Sequence, residues 1–298
     1  MKLVSFKTED KLELPGFLYE PGHKTDKIAI FLHGNGSSSV IYDVDLMNEI
    51  GAALNKKNLA FFPFNNRGSG YIKSFHLKEN GEDKRIKMGT TYELIKDCVI
   101  DIDGAIKFLK ALNYKDFYLI GISTGANKIV VYNYYKQDNN ISKYILLSGG
   151  DDTGLYFQAM TGKKFKSTLL RCKEEVNKGN GAQLVPRTIT TEIMSYQSLY
   201  DTINPDGDYN IFPFNEYINN LNLSKKQLFK EYKKIAKPTL IIYGELDEYC
   251  YGDVPSCLAI LQKESSDLKL FTFKLIKGAD HGFNGYEKKL AKSIADWI

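Results

Sequence analysis

Gly121-Ile122-Ser123-Thr124-Gly125 is the segment with the clearest chemical potential. A serine bracketed by glycines at this spacing permits a strained strand-to-helix turn that projects the hydroxyl outward. The helix N-terminus behind it supplies a positive dipole end and free N–H groups for a developing oxyanion. A serine hydroxyl is a weak nucleophile until a base takes its proton. The chain has four histidines: His23, His33, His76 and His281. His281, in Lys277-Gly278-Ala279-Asp280-His281-Gly282-Phe283, follows the last strand-like run and precedes the last helical one. A base belongs there when the chain order is Ser, Asp, His. Asp247, in Tyr243-Gly244-Glu245-Leu246-Asp247-Glu248, lies three residues past a strand-ending glycine. Its task would be to hold the imidazole in one tautomer and stabilise its cation. Glu245, Glu248 and Asp253 compete with it by proximity, and Asp151 and Asp152 by their place after an earlier strand.

These residues need elements to position them, and the hydrophobic pattern provides an alternation of strands and helices. Lys27–His33 is continuously apolar rather than alternating, as a strand of a parallel sheet covered on both faces requires. The same holds for Leu59–Phe64, Asp116–Ile122, Lys143–Ser148, Pro238–Gly244 and Lys269–Ile276. Helical stretches lie between them at Val44–Lys56, Glu93–Leu112, Thr124–Lys136 and Val254–Lys263, and Tyr286–Ile298 closes the chain. Leu3–Phe6 and Leu12–Tyr19 read as an antiparallel hairpin leading in. The pattern predicts an α/β fold, a doubly wound and mostly parallel sheet. From Asp151 the rhythm breaks for about 85 residues, far beyond the roughly 2–6 of a normal connection in such folds. Polar helical pieces at Lys164–Lys178, Thr191–Tyr200 and Ser224–Lys234 make this an inserted helical cap, 151–235, on a core of 1–150 and 236–298. Its aromatics (Tyr196, Tyr200, Tyr209, Phe212, Phe214, Tyr217) are expected mostly in the cap's own core, with a minority lining a pocket.

Composition narrows the field. With 298 residues, 43% of them hydrophobic and 26% charged, the chain can bury a full core and is not disordered. Lys plus Arg is 40 against 36 Asp plus Glu, a net charge of +4 spread evenly along the chain. That balance argues against nucleic acid or a membrane surface as partner. Only Arg67, Arg85, Arg171 and Arg187 are arginines, too few for recognition built on bidentate phosphate contacts. No apolar leader follows the N-terminus and no run approaches the ~20 residues of a spanning helix, so a cytoplasmic setting is expected. The four cysteines (Cys98, Cys172, Cys250, Cys257) are then free thiols.

Ser123, Asp247 and His281 at these strand ends, with His33-Gly34-Asn35-Gly36-Ser37 after an early strand, resemble the α/β-hydrolase superfamily over nearly the whole chain. The resemblance implies a cap inserted after the sixth family strand and an oxyanion hole made by the backbone N–H groups of Asn35 and Thr124. It makes His33 the structural histidine of the family's H-G pair. Asn65-Asn66-Arg67-Gly68-Ser69-Gly70 is similar to the family's R-G-x-G turn, which makes Arg67 scaffold rather than substrate contact. Ile122 stands where many relatives have histidine, at a position expected to be buried and of little consequence for chemistry. The S-T-G elbow and the S-G-G-D segment after the next strand also resemble a branch related to fungal siderophore esterases. Two short motifs do not carry a substrate across.

The expected activity is hydrolysis of a small or medium carboxylic ester through an acyl-enzyme, favouring soluble short-to-medium esters, with no metal or organic cofactor. Amide or C–C bond hydrolysis and acyl transfer use the same residues, because fold and triad do not fix the leaving group. A non-catalytic ligand-binding relative is the reading from another class. Asp206-Gly207-Asp208-Tyr209-Asn210 imitates the start of a calcium loop, but Ile211 replaces the required glycine and Tyr217 the closing glutamate. Cys250 and Cys257 lack a second ligand pair for zinc, and no phosphate-binding glycine motif is complete.

Overall fold

The computed structural model describes residues 1–79 and 82–298. In chain order the strands and α-helices are β1 (Lys2–Lys7), β2 (Glu13–Leu18), β3 (Lys27–Leu32), α1 (Val44–Lys56), β4 (Ala60–Phe64), β5 (Lys73–Glu79) and β6 (Glu82–Met88). Then come α2 (Cys98–Ala111), β7 (Asp116–Ile122), α3 (Thr124–Tyr135), β8 (Ile141–Leu147), α4 (Asp152–Ala159), α5 (Gly162–Asn177), α6 (Tyr196–Ile203) and α7 (Phe214–Asn219). β9 (Thr239–Gly244), α8 (Val254–Glu264), β10 (Phe271–Ile276) and α9 (Glu287–Ala295) complete the chain.

An eight-stranded sheet runs β1-β2-β4-β3-β7-β8-β9-β10. β1 and β2 pair antiparallel, β2 meets β4 antiparallel at Gly16↔Phe64, and every other neighbouring pair is parallel. The continuous apolar runs follow from burial on both faces, with successive side chains entering opposite cores. Ile30, Phe62 and Leu119 pack with Ile102 and Leu109 of α2 and Ile129 of α3. Phe31, Phe61 and Ile120 pack on the other face with Ile50 and Leu54 of α1 and Leu290 and Ile294 of α9. No helix among the described residues is long and apolar enough to cross a membrane.

The structure departs from the sequence reading at several places: α4 and α7 lie where no helix is expected, and the helix expected over Thr191–Tyr200 begins only at Tyr196. β5 and β6 form a separate antiparallel hairpin, with Phe75, Leu77 and Met88 packed against the first core. The helix expected from Glu93 begins only at Cys98: Leu94 is extended (φ −103°, ψ 135°) and a 3₁₀ turn occupies Ile95–Asp97. Ser224–Lys234 is not an α-helix. Asp206 captures the backbone N–H groups of Lys225 and Lys226, and Phe229 takes φ +57°, which no helix accommodates.

The segment between β8 and β9 packs in two parts. Met160, Phe165, Cys172, Met194, Tyr196, Leu199 and Ile203 form a small core of their own. Tyr209, Ile211, Phe212, Phe214, Phe229 and Tyr232 instead join the core beneath the sheet, where Tyr232 meets Phe271 of β10 at 5.5 Å. The second part of the insert is therefore fastened to the α/β core by aromatic burial.

Charged groups are buried close to the elbow. Lys128 of α3 and Glu93, both fully buried, pair at 2.7 Å, and the Glu93 carboxylate fills the space that a Cβ at Gly68 would need. Removing one partner leaves an uncompensated buried charge, a loss of about 3–5 kcal/mol. Lys128→Met should thus lower the melting temperature by on the order of 10 °C. Lys128→Met/Glu93→Leu should recover much of that loss, and a single variant as stable as the wild type would contradict the assignment.

Asp201 of α6 accepts the Ile95 N–H at 3.0 Å. Burial, aided by Asp208, Asp97 and Glu93, pushes its carboxyl up to about 7 against the opposing Ile95 hydrogen bond. An unfolded aspartate titrates near ~3.9, so between about pH 4 and 7 the folded chain keeps a proton that the unfolded chain has lost. Stability from this group is therefore present at low pH and lost as pH rises through that window. Asp201→Asn keeps an acceptor for Ile95. It should melt above the wild type at pH 8 and close to it at pH 4.5; an equal difference at both would exclude ionisation as the cause.

Candidate active site

Ser123 sits between β7 and α3 with φ +55° and ψ −130°, a conformation that a residue with a Cβ rarely adopts. Its N–H donates to the Leu147 carbonyl at 2.9 Å and its carbonyl accepts from Ala126 N–H at 2.8 Å. The flanking glycines are explained by contact: a Cβ at Gly121 would strike the Gly125 carbonyl, and one at Gly125 the Leu32 carbonyl at the end of β3. Gly34 is as constrained, since a Cβ there would lie 3.0 Å from Ser123 Cβ. The β3 loop can therefore approach the elbow closely only because residue 34 has no side chain.

His281 and Asp247 come together from the loops after β10 and β9. Nδ1 of His281 donates to Asp247 Oδ1 at 2.9 Å, so the neutral ring presents Nε2 as an acceptor. Asp247 is almost wholly buried, with 1% of its side chain exposed against 15% for His281, and the same oxygen accepts the Tyr249 N–H at 3.0 Å. The Tyr249 ring meets the imidazole edge to face, centroids 4.6 Å apart. Carboxylates proposed as rivals of Asp247 have other partners. Glu248 accepts the His281 backbone N–H at 3.2 Å, Glu245 accepts that of Gly278 at 2.9 Å, and Asp253 caps α8. Asp151 is buried and accepts from Gly154 N–H, Asn215 N–H and the Tyr251 hydroxyl, which hold together α4, α7 and the β9–α8 loop.

Ser123 and His281 line one cavity of about 1420 Å³, shared with Asn35 and Thr124. No hydrogen bond joins Ser123 Oγ to the ring among the described residues; such contacts commonly tighten only when substrate binds. The backbone N–H groups of Asn35 and Thr124 have no acceptor among the described residues. Two contacts hold the Asn35 loop. Asn66 N–H donates to His33 Nε2 at 3.2 Å, which places the ring proton on Nδ1, 2.8 Å from the Gly34 carbonyl. Burial, with Lys128 and Lys73 nearby, pushes His33 down to about 3, so the ring stays neutral and serves as a brace. The Asn35 amide donates to Tyr209 Oη at 3.0 Å, a contact from the insert that no sequence motif announces.

Other expectations find their places here. Arg67 is buried in an ion cluster, its Nε and Nη2 2.9 and 2.8 Å from Asp101 Oδ1, with Asp10 3.0 Å from Nη1. It does not line the cavity. Ile122, expected to be buried, is only partly so and forms part of the cavity wall, because the turn at Ser123 opens the end of β7 toward that space. None of the six insert aromatics lines the cavity; the insert contributes Leu155, Tyr156, Met160, Ile189 and Met194 among others. His23 lies away from it, and the His76 side chain is outside the described residues. Asp152, a rival to Asp247 by sequence position, borders the cavity with a buried Oδ2 that has no hydrogen-bond partner among the described residues. Among the described residues no three His, Cys, Asp or Glu side chains are arranged to hold a metal ion.

A mostly parallel sheet with helices on both faces, a strained serine elbow after β7 and an Asp–His pair after the next-to-last and last strands define an α/β-hydrolase fold. The chain belongs to the family described as a protein of unknown function (DUF1749), whose sequence profile matches residues 89–297. No curated protein matches it. Among solved structures it is similar to Est1E from Butyrivibrio proteoclasticus with bound ferulic acid, at 14% identity and TM-score 0.64, covering 98% of this chain and 96% of that one. The esterase Pf2001 of Pyrococcus furiosus is 17% identical at TM-score 0.56, with coverage of 99% and 90%. A monoacylglycerol lipase from Paleococcus ferrophilus is 16% identical at TM-score 0.58, with coverage of 96% and 98%.

Proposed function

We propose that the protein is a serine hydrolase that cleaves a carboxylic ester of a small or medium molecule through an acyl-enzyme. The observation that carries this reading is the strained Ser123 elbow opening on the cavity that the Asp247-paired His281 also borders. Ser123 Oγ attacks the ester carbonyl while Nε2 of His281 takes its proton, and Asp247 stabilises the imidazolium so formed. The oxyanion lies against the N–H groups of Asn35 and Thr124, whose positions are set by His33, Tyr209 and the start of α3. Collapse of the tetrahedral intermediate expels the alcohol, which receives the proton from Nε2. A water then gives its proton to the ring, attacks the acyl group and releases the acid, restoring Ser123. In this reading 1–150 with 236–298 positions the chemistry, and the insert 151–235 shapes the pocket. The esterase and lipase names carried by its structural neighbours support the choice of an ester over other acyl substrates.

A panel of p-nitrophenyl esters from acetate to octanoate tests the reading. Saturable release of p-nitrophenol by the purified chain is the expected result. Failure to hydrolyse any member, with amides or C–C substrates cleaved instead, would overturn the ester assignment.

A further inference from the structure

The wall of the cavity beside Ser123 carries charge that the proposed reaction does not use. Among the described residues five carboxylates border the cavity against two cationic side chains, Lys164 and Arg187; both cations are exposed, as are Asp43, Asp45 and Glu192, while Asp152 and Glu287 are partly buried. Asp152 at the start of α4 and Glu192 in the α5–α6 connection form no ion pair with a lysine or arginine among the described residues. They act on one site: burial, with Asp151 and Glu192 adding to it, pushes the Asp152 carboxyl up to about 6, while the nearby His281 and a hydrogen bond from the Thr124 side chain oppose the rise. The buried Oδ2 of Asp152 has no hydrogen-bond partner among the described residues. An orphaned buried acceptor is costly unless something arriving later satisfies it.

Two aromatic rings stand with these carboxylates. The Tyr156 hydroxyl donates to Glu192 Oε2 at 2.6 Å, and Tyr249 lies against the His281 ring; both tyrosines line the same cavity. A hydroxyl on a neutral substrate could satisfy the Asp152 oxygen but would leave this carboxylate, with the exposed Glu192 beside it, without a cation. An organic cation satisfies both, and aromatic faces beside carboxylates suit it. We propose that the cavity takes an ester bearing a protonated amine or quaternary ammonium group, seated between Asp152, Glu192, Tyr156 and Tyr249, with the scissile carbonyl at Ser123. This rests on the ester-hydrolase reading for its chemistry, though not for its binding geometry.

The test separates the two. Calorimetric binding of choline and of its neutral isostere 3,3-dimethylbutan-1-ol is measured on the Ser123→Ala chain. Hydrolysis of acetylthiocholine and of 3,3-dimethylbutyl thioacetate is measured on the wild type, Asp152→Asn and Glu192→Gln, each checked by a thermal melt. The cationic partner should be favoured by about tenfold or more in both assays, and the ratio should fall toward one in either variant. Hydrolysis without discrimination would overturn the ammonium subsite and leave the hydrolase reading standing. Selective choline binding with neither ester cleaved would support the subsite and overturn the hydrolase reading. Absence of both overturns both, and a preference unchanged in the variants would show that other groups recognise the cation.

Discussion

Ser123→Ala should lose on the order of 10⁴–10⁶ in kcat on a p-nitrophenyl ester, the scale typical of losing a triad nucleophile. Its melting temperature should stay within a degree or two of the wild type. The two effects separate because of where the residue sits. The hydroxyl makes no hydrogen bond among the described residues, so its removal orphans no partner there, and alanine keeps the Cβ and hence the same backbone strain at φ +55°. Ser123→Gly removes the strain as well. It should be as inactive as the alanine variant and more stable, since a non-glycine residue in such a conformation costs on the order of 1–3 kcal/mol. Initial rates and melts on the three proteins check both statements. An alanine variant with undiminished turnover would mean that the elbow serine is not the nucleophile.

Asp247→Asn should cost roughly 10⁴ in turnover, the magnitude associated with replacing the acid of a serine triad by its amide. The asparagine can still bond Nδ1, but it cannot stabilise imidazolium, and its amide N–H favours the tautomer with the proton on Nε2. That proton would face the serine and block its activation. Asp151→Asn should act differently, since its oxygens hold Gly154, Asn215 and Tyr251 rather than the histidine. Its effect should appear in the melt more than in kcat. Steady-state kinetics and melts on both variants decide the matter. A larger loss of kcat in Asp151→Asn than in Asp247→Asn would move the acid to the loop after β8.

The parts of this site that were legible in the sequence share a cause: they depend on local geometry. Glycines at 121 and 125 announce a turn that only they can pack, and Asp247 and His281 follow strand-ending segments at the positions a parallel sheet exposes. What could not be read depends on pairing across the chain. Glu93 turns inward to meet Lys128, which delays α2 to Cys98, and nothing within reach of Glu93 in the sequence signals a cation 35 residues later. Ser224–Lys234 has helix-compatible residues, but Asp206 and Glu216 claim its N–H groups from outside. Tyr209 was visible as an insert aromatic, yet its hydroxyl contact with Asn35 spans 174 positions. The β5–β6 hairpin did leave a signal, the alternation of Phe75 with Leu77 and of Ile86 with Met88, too short to stand out beside the longer apolar runs.

The central claim is that Ser123 is a nucleophile activated by His281. Labelling with a fluorophosphonate, followed by peptide mapping, tests it most directly, because the phosphorus traps an activated serine regardless of the natural substrate. One adduct per chain, on the peptide containing Ser123, is the expected result, with labelling greatly slowed in His281→Ala and absent in Ser123→Ala. An unlabelled folded chain, or an adduct that persists when Ser123 is replaced, would contradict the account.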